Sequence, residues 1–329
     1  MGAGAGKQAG RQPGIVARGA GHNEVTGRLD PALPAAAVNS PLPTPAATLA
    51  SLAIHPIKSC GALTLGAAEL TETGLDLDRA WMVVDSHGEM LTQRERPRMA
   101  LIQPTLRGGE LVLRAPGMLA LHLKLDTVEA ATRVRVWDDI VKAYDMGALA
   151  AQWFSDFLGA PPSGLLRLAR FDPEEERICD ARWTGSTKAL AAFSDGYPLL
   201  VANAASLADL NTRLVAAGHA AVGMARFRPN LVLEGLQPWD EDHLREIDIH
   251  TGDGVATLRL VKPCVRCSIP DVDPATAETG TAVGQTLAGF RADPRMNGGL
   301  TFGMNAMVVQ GLGLTLRTGQ TLVLRHAFD

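Results

Sequence analysis

Residues 119–125 read Leu119-Ala120-Leu121-His122-Leu123-Lys124-Leu125, with a leucine at every second position. Period two places alternate side chains on opposite faces of an extended chain, so this stretch predicts a half-buried strand. The same texture runs outward in both directions from about residue 49. Turn signals punctuate it at Ser86-His87-Gly88, at Gly108-Gly109 and at Thr251-Gly252-Asp253-Gly254. Residues 314–324 alternate again and break at Arg317-Thr318-Gly319. Two segments follow a helical period instead. One spans 147–158, with Trp153 and Phe157 on one face and Gly159 as a stop. The other spans 204–216, with Leu207, Leu210 and Leu214 at helical spacing and Gly218 behind them. The pattern predicts an α+β, β-rich fold around barrel-like sheets with a few helices.

Length and composition bound the function. The chain has 329 residues, 46% hydrophobic and 20% charged, as in an ordinary globular protein. Its net charge of −4 argues against a dedicated nucleic-acid binder, which carries a basic surplus. No apolar run reaches the roughly 20 residues that span a bilayer. Four cysteines make no disulfide framework, so a reducing, cytoplasmic setting is expected. Residues 1–48 are rich in Ala, Gly and Pro, with five prolines between Pro31 and Pro45. Such a composition buries little, and a disordered tail is expected there.

The chemistry concentrates at Lys262-Pro263-Cys264-Val265-Arg266-Cys267, after the apolar stretch 255–261. Thiolate is the nucleophilic and metal-ligating form of cysteine, and neighbouring cations favour it. The spacing alone leaves four readings open. Structural zinc would need four ligands, and there is no second Cys-x-x-Cys. A thioredoxin-like pair would sit near a βαβ unit, whereas this one lies between strands. Two inert, half-buried thiols are a third reading. A single thiolate ligand for a soft metal is the fourth. Other polar clusters fall at strand ends. They are His55-Pro56-Ile57-Lys58-Ser59-Cys60, Asp76-Leu77-Asp78-Arg79, Phe193-Ser194-Asp195-Gly196-Tyr197-Pro198 and Arg226-Phe227-Arg228-Pro229-Asn230. Together they offer Lys, Ser, Arg and Asn donors for a phosphate or other oxyanion.

At these residues the chain resembles the MOSC family (molybdenum cofactor sulfurase C-terminal domain) preceded by that family's N-terminal β-barrel domain. Within the family it is similar to the mitochondrial amidoxime-reducing components and to bacterial relatives without a ferredoxin domain. The resemblance rests on Pro56-Ile57-Lys58-Ser59-Cys60, Asp78-Arg79-Ala80-Trp81 and Ser206-Leu207-Ala208-Asp209-Leu210-Asn211. It continues through Phe227-Arg228-Pro229-Asn230 and Cys264-Val265-Arg266-Cys267, with Val272-Asp273-Pro274 after it. It implies a barrel domain over 49–170 and a MOSC domain over 171–329. It also implies a molybdenum–molybdopterin cofactor with Cys267 as metal ligand and catalytic residue and Cys264 as a neighbour. Lys58, Ser59, Arg79 and Arg228 match positions that hold the cofactor's phosphate and pterin, and Asn230 orders its loop. Asp195, Gly196 and Tyr197 match a cofactor-contacting turn. The family's small hydroxyl residues are replaced there by Gly196 and Tyr197, which leaves backbone contacts. Val265 stands where the mitochondrial relatives have a serine. Asn305, counted with the cofactor contacts, stands where they have a tyrosine.

The implied reaction is reduction of N-hydroxylated compounds, such as amidoximes and hydroxylamines, with release of water. With no cysteine after Cys267, no built-in iron–sulfur cluster is expected, and the electrons would come from a separate reductase or carrier. A cofactor or sulfur carrier without reductase turnover is the alternative.

Overall fold

A computed structural model describes residues 47–327. The expected tail, 1–48, lies outside them except for Ala47 and Thr48. The fold is α+β and β-rich, with 19 strands and four α-helices among the described residues.

One large sheet organises the molecule. Its strands run in the order Leu322–His326, Leu244–His250, Val255–Val265, Gly299–Gln310, Leu199–Asn203, Leu231–Glu234, Thr48–Ile54, Leu63–Leu65. Neighbours are antiparallel except Leu199–Asn203 and Leu231–Glu234, which pair in parallel. A parallel pair needs a crossover. Helix Ala204–Ala216 provides it, and Asn203 caps that helix by accepting from Ala205 N at 3.0 Å. The ladder does not close into a barrel. Its first and second-last strands are instead linked near their ends by one bridge, Thr48 to Thr321. Backbone bonds from Leu49 N to Gln320 O and from Leu322 N to Ala47 O, both 2.9 Å, reinforce that link. A bulge between Leu49 and Ser51 interrupts the pairing of Thr48–Ile54 with Leu231–Glu234. This barrel-like sheet is thus open, linked at its seam by isolated bonds.

Inside the sheet lies the main core, with Leu49, Leu52, Ile54, Leu199, Val201, Leu231, Ile247, Leu258 and Ala306 all essentially solvent-free. A second core forms where helix Gly147–Leu158 packs Phe154 and Phe157 against Trp81, Val83 and Leu168. A third joins Leu210 and Leu214 of helix Ala204–Ala216 to Val283 and Leu287 of helix Ala282–Ala288. The hairpin at 108–109 follows from its glycines, whose φ values of 59° and 78° demand residues without a Cβ.

The leucine alternation overreached. The strand covers only Leu121–Lys124, and Leu119 is 89% exposed. The chain is still leaving the turn at Gly117 there, with Met118 N bonded to Ala115 O at 3.1 Å. Residues 314–324 also divide. Thr315–Arg317 pairs with Ala67–Thr71, while Leu322–His326 joins the large sheet. Among the described residues no helix is long and apolar enough to cross a membrane.

Candidate functional site

Adjacent strands of the large sheet deliver residues from distant parts of the sequence to one cleft. Strand Thr48–Ile54 leads to Lys58 and Ser59, and Leu231–Glu234 is entered through Arg228 and Asn230. Leu199–Asn203 follows the turn carrying Asp195, and Val255–Val265 ends in the Cys264–Cys267 element. Asn305 lies in Gly299–Gln310, opposite Leu200 and Lys262. The cleft holds about 810 Å³ of empty space, counting solvent at its mouth. Lys58, Ser59, Arg79, Asp195, Tyr197, Arg228, Asn230, Cys267 and Asn305 all line it. Gly196 does not. It serves as the turn residue between Asp195 and Tyr197, and a Cβ built there would meet nothing within 4 Å.

The walls are strongly cationic. Lys58, Arg79, Arg94, Arg228 and Arg266 line the cleft against the single carboxylate of Asp195. Lys58 is buried; its Nζ donates to Phe193 O at 2.8 Å and to Asp195 Oδ1. Burial pushes the Lys58 pKa down, and Asp195 opposes that shift. Arg79 donates from Nη1 to both oxygens of buried Asp78, at 2.8 and 2.6 Å, and to Asn230 Oδ1 at 3.1 Å. Burial disfavours the Asp78 carboxylate, but Arg79 and His55 outweigh it and hold the pKa below the usual range. Asn230 is a brace: Oδ1 also accepts from Leu200 N at 3.0 Å, and Nδ2 donates to Ala53 O at 3.2 Å. Arg228 Nη1 donates to Cys60 O at 2.5 Å. Burial and the nearby charge of Arg79 push Arg228 down to about 9. Arg228 Nη2 and Arg266 Nε are buried without a partner. Cationic donors left unmet in a cleft suit an anionic, oxygen-rich ligand.

Backbone strain gathers in the same place. Ser59, Arg79 and Arg228 hold φ of 65°, 48° and 57°, in the left-handed region that non-glycine residues rarely take. Each such residue costs of order 1–3 kcal/mol and persists only where its surroundings over-determine it. Buried Arg177 constrains the neighbouring turn that carries Asp195. It donates to the carbonyls of Ala192, Ser194 and Asp195 at 3.0, 2.6 and 3.2 Å and so fixes the Asp195 turn.

The four cysteines divide by environment. Cys60 and Cys179 are buried, and burial raises their thiols to about 12 and 11. Cys264 and Cys267 line the cleft, and Cys267 is exposed. Arg266 Nη1 lies 3.0 Å from Cys264 Sγ and Arg266 Nη2 donates to Phe227 O at 3.0 Å, so Arg266 links the cysteine element to the Arg228 loop. Among the described residues no group of three or more His, Cys, Asp or Glu could hold a metal ion. A metal at Cys267 would have to bring other ligands with it. Tyr197 packs into a buried cluster with Cys179, Ala189, Ala191 and Met307.

Sequence comparison matches residues 46–161 to the MOSC N-terminal beta barrel domain and residues 190–322 to the MOSC domain. The chain belongs to the MOSC family. Mitochondrial amidoxime-reducing component 1 of Homo sapiens is 36% identical over 240 residues, covering 70% of this MOSC chain and 67% of its own length. Mitochondrial amidoxime reducing component 2 of Bos taurus is 35% identical over 237 residues, with the same coverage of both chains. Molybdenum cofactor sulfurase of Anopheles gambiae is 32% identical over 249 residues, which make up 31% of its length.

Sequence reasoning missed Thr92, Arg94 and Trp137, which line the cleft from the N-terminal half of this MOSC chain. Arg94 stacks 4.7 Å from the Trp137 ring centroid, and Trp137 Nε1 donates to Asp195 Oδ1 at 3.3 Å. The one available signal was local: Trp-Asp is poor chemistry for a two-residue hairpin loop.

Proposed function

We propose that the cleft holds a molybdenum–molybdopterin cofactor and that this MOSC chain reduces N-hydroxylated compounds such as amidoximes and hydroxylamines. The observation that carries this reading is an exposed thiol, Cys267, opening onto a cleft whose cations include buried, unpartnered donors. The donor set fits such a group: one soft thiolate for the metal, and cationic nitrogens for its phosphate. Cys267 Sγ ligates the metal. Lys58, Ser59, Arg79 and Arg228 would hold the cofactor's phosphate and pterin, and Asn230 keeps the Arg79 and Arg228 loops in register. Asp195 balances Lys58, Asn305 would add a carboxamide to the cofactor contacts, and the Gly196–Tyr197 backbone closes the turn. When bound, the cofactor supplies the two-electron redox chemistry. The overall reaction consumes two electrons and two protons, converts N–OH to N–H and releases water. The electrons come from a separate donor. Four free cysteines suit a reducing compartment, here taken as the cytoplasm.

The test is turnover of benzamidoxime by molybdenum-loaded protein with a chemically reduced dye as donor. Formation of benzamidine that stops in Cys267→Ala supports the proposal. Absence of benzamidine from loaded wild type favours the second reading, a cofactor or sulfur carrier. The likeness to a molybdenum cofactor sulfurase keeps that alternative in view.

A further inference from the structure

The mouth of the cleft carries a residue that breaks a local rule. Strands Ala130–Val136 and Asp139–Asp145 are joined by a two-residue loop, Trp137-Asp138, closed by the pair Val136 and Asp139. Trp137 sits at φ 57°. Such loops call for Gly, Asn or Asp at positive φ, and a bulky side chain there is a genuine outlier. Nothing in the hairpin needs the indole, because a glycine would make the same turn without strain. The strain therefore points away from the hairpin, toward what the ring touches.

The ring is fixed in three ways. Arg94 lies 4.7 Å from its centroid, Lys58 Nζ lies 5.9 Å away, and its N–H donates to Asp195 Oδ1 at 3.3 Å. Yet 39% of Trp137 remains exposed, on a wall of the cleft. A rigid aromatic held open at the entrance to a polar cleft is a stacking surface for a flat ligand. The Arg94 guanidinium against the ring stiffens that surface. The other aromatic residues of the wall, Phe227 and Tyr197, are buried, as are Leu199 and Leu200, so Trp137 is the exposed aromatic ring of the cleft.

We infer that Trp137, braced by Arg94, is a specificity residue that selects flat, conjugated N-hydroxylated substrates over aliphatic ones bearing the same reacting group. This rests on the reductase reading above and names the substrate class for it. Trp137 takes no part in bond making. It supplies stacking at the entrance while the N–OH group points inward.

The experiment compares kcat/KM for benzamidoxime and acetamidoxime in wild type, Trp137→Gly and Trp137→Phe, with molybdenum content and thermal midpoint measured for each. Wild type is expected to prefer benzamidoxime at least tenfold. In Trp137→Gly the benzamidoxime value falls at least tenfold and the acetamidoxime value less than threefold, mostly through KM. Its midpoint does not drop, because the glycine relieves the turn. Trp137→Phe keeps a flat face and retains most of the preference. No aryl preference in wild type would overturn the inference, as would equal losses on both substrates. So would molybdenum loss in step with the preference, since the ring would then serve the cofactor. If Trp137→Phe behaves like Trp137→Gly, the indole N–H to Asp195 is what matters and the stacking role fails. Should wild type reduce neither amidoxime, the reductase reading fails by itself. Calorimetric binding of benzamidoxime then decides the wall: tenfold weaker binding in Trp137→Gly sustains it, and equal binding removes it.

Discussion

Arg228 shows how a single residue trades stability for binding. Its guanidinium is half-buried beside Arg79, one nitrogen lacks a partner, and its pKa is pushed down to about 9. A buried charge without full compensation destabilises the fold that carries it. We expect Arg228→Leu to leave the thermal midpoint of the cofactor-free chain unchanged or raised. Cofactor retention in the same variant should fall by an order of magnitude or more, since a charge-assisted hydrogen bond contributes roughly 1.5–3 kcal/mol. A lower midpoint with unchanged retention would make Arg228 a structural residue. The cysteines make the complementary point. Cys60 sits one residue from Ser59, yet burial raises its thiol to about 12 and leaves it inert. Cys267 is exposed on the same cleft. Accessibility separates the two more than sequence context does.

Strands and loops set the geometry that these residues use. Gly303 lies within strand Gly299–Gln310 at φ 76°, and a Cβ there would come 2.7 Å from Val201 O. The strand passes so close to Leu199–Asn203 that only glycine fits. Gly303→Ala should cost roughly 1–3 kcal/mol, read as a lower denaturant midpoint; an unchanged midpoint would show that the sheet yields at this point. Helices 147–158 and 204–216 were legible because apolar spacing and a following glycine agreed. Helix Ala282–Ala288 was not, since two turns leave too little periodicity to read. The Leu119 alternation misled because composition continued where the ladder had not begun. At the site, Lys58, Arg79, Arg228 and the cysteine element stood out because each closes a short motif beside a strand. Arg94 and Trp137 belong to no such motif. They reach the cleft through tertiary packing of the hairpin loop at 137–138 and the turn at 92–96, which no local pattern encodes.

At the scale of the whole molecule, a chain of net charge −4 gathers five cations around one cleft. The rest of the surface carries the compensating acids, so the net charge gave no warning of the site. The same cluster makes stability depend on pH. His55 is buried, and burial, then Arg79 and Arg228, push its pKa well below 6.5. The unfolded chain takes up a proton on His55 as pH falls through 6.5, while the folded chain does not. Its contribution is therefore complete above that pH and lost progressively below it. We expect the denaturant midpoint to fall between about pH 7 and 5, and His55→Gln to flatten that slope. A slope identical in the variant would assign it to other groups. The central claim is that Cys267 holds a molybdenum cofactor in the cationic cleft, and its most direct test is elemental analysis. Protein made with molybdate in a cofactor-competent host would be measured beside Cys267→Ala and Cys264→Ala. The account predicts near-stoichiometric molybdenum in wild type, little in Cys267→Ala and most of it kept in Cys264→Ala. Well-folded wild type without molybdenum, or equal loss in both variants, would contradict it.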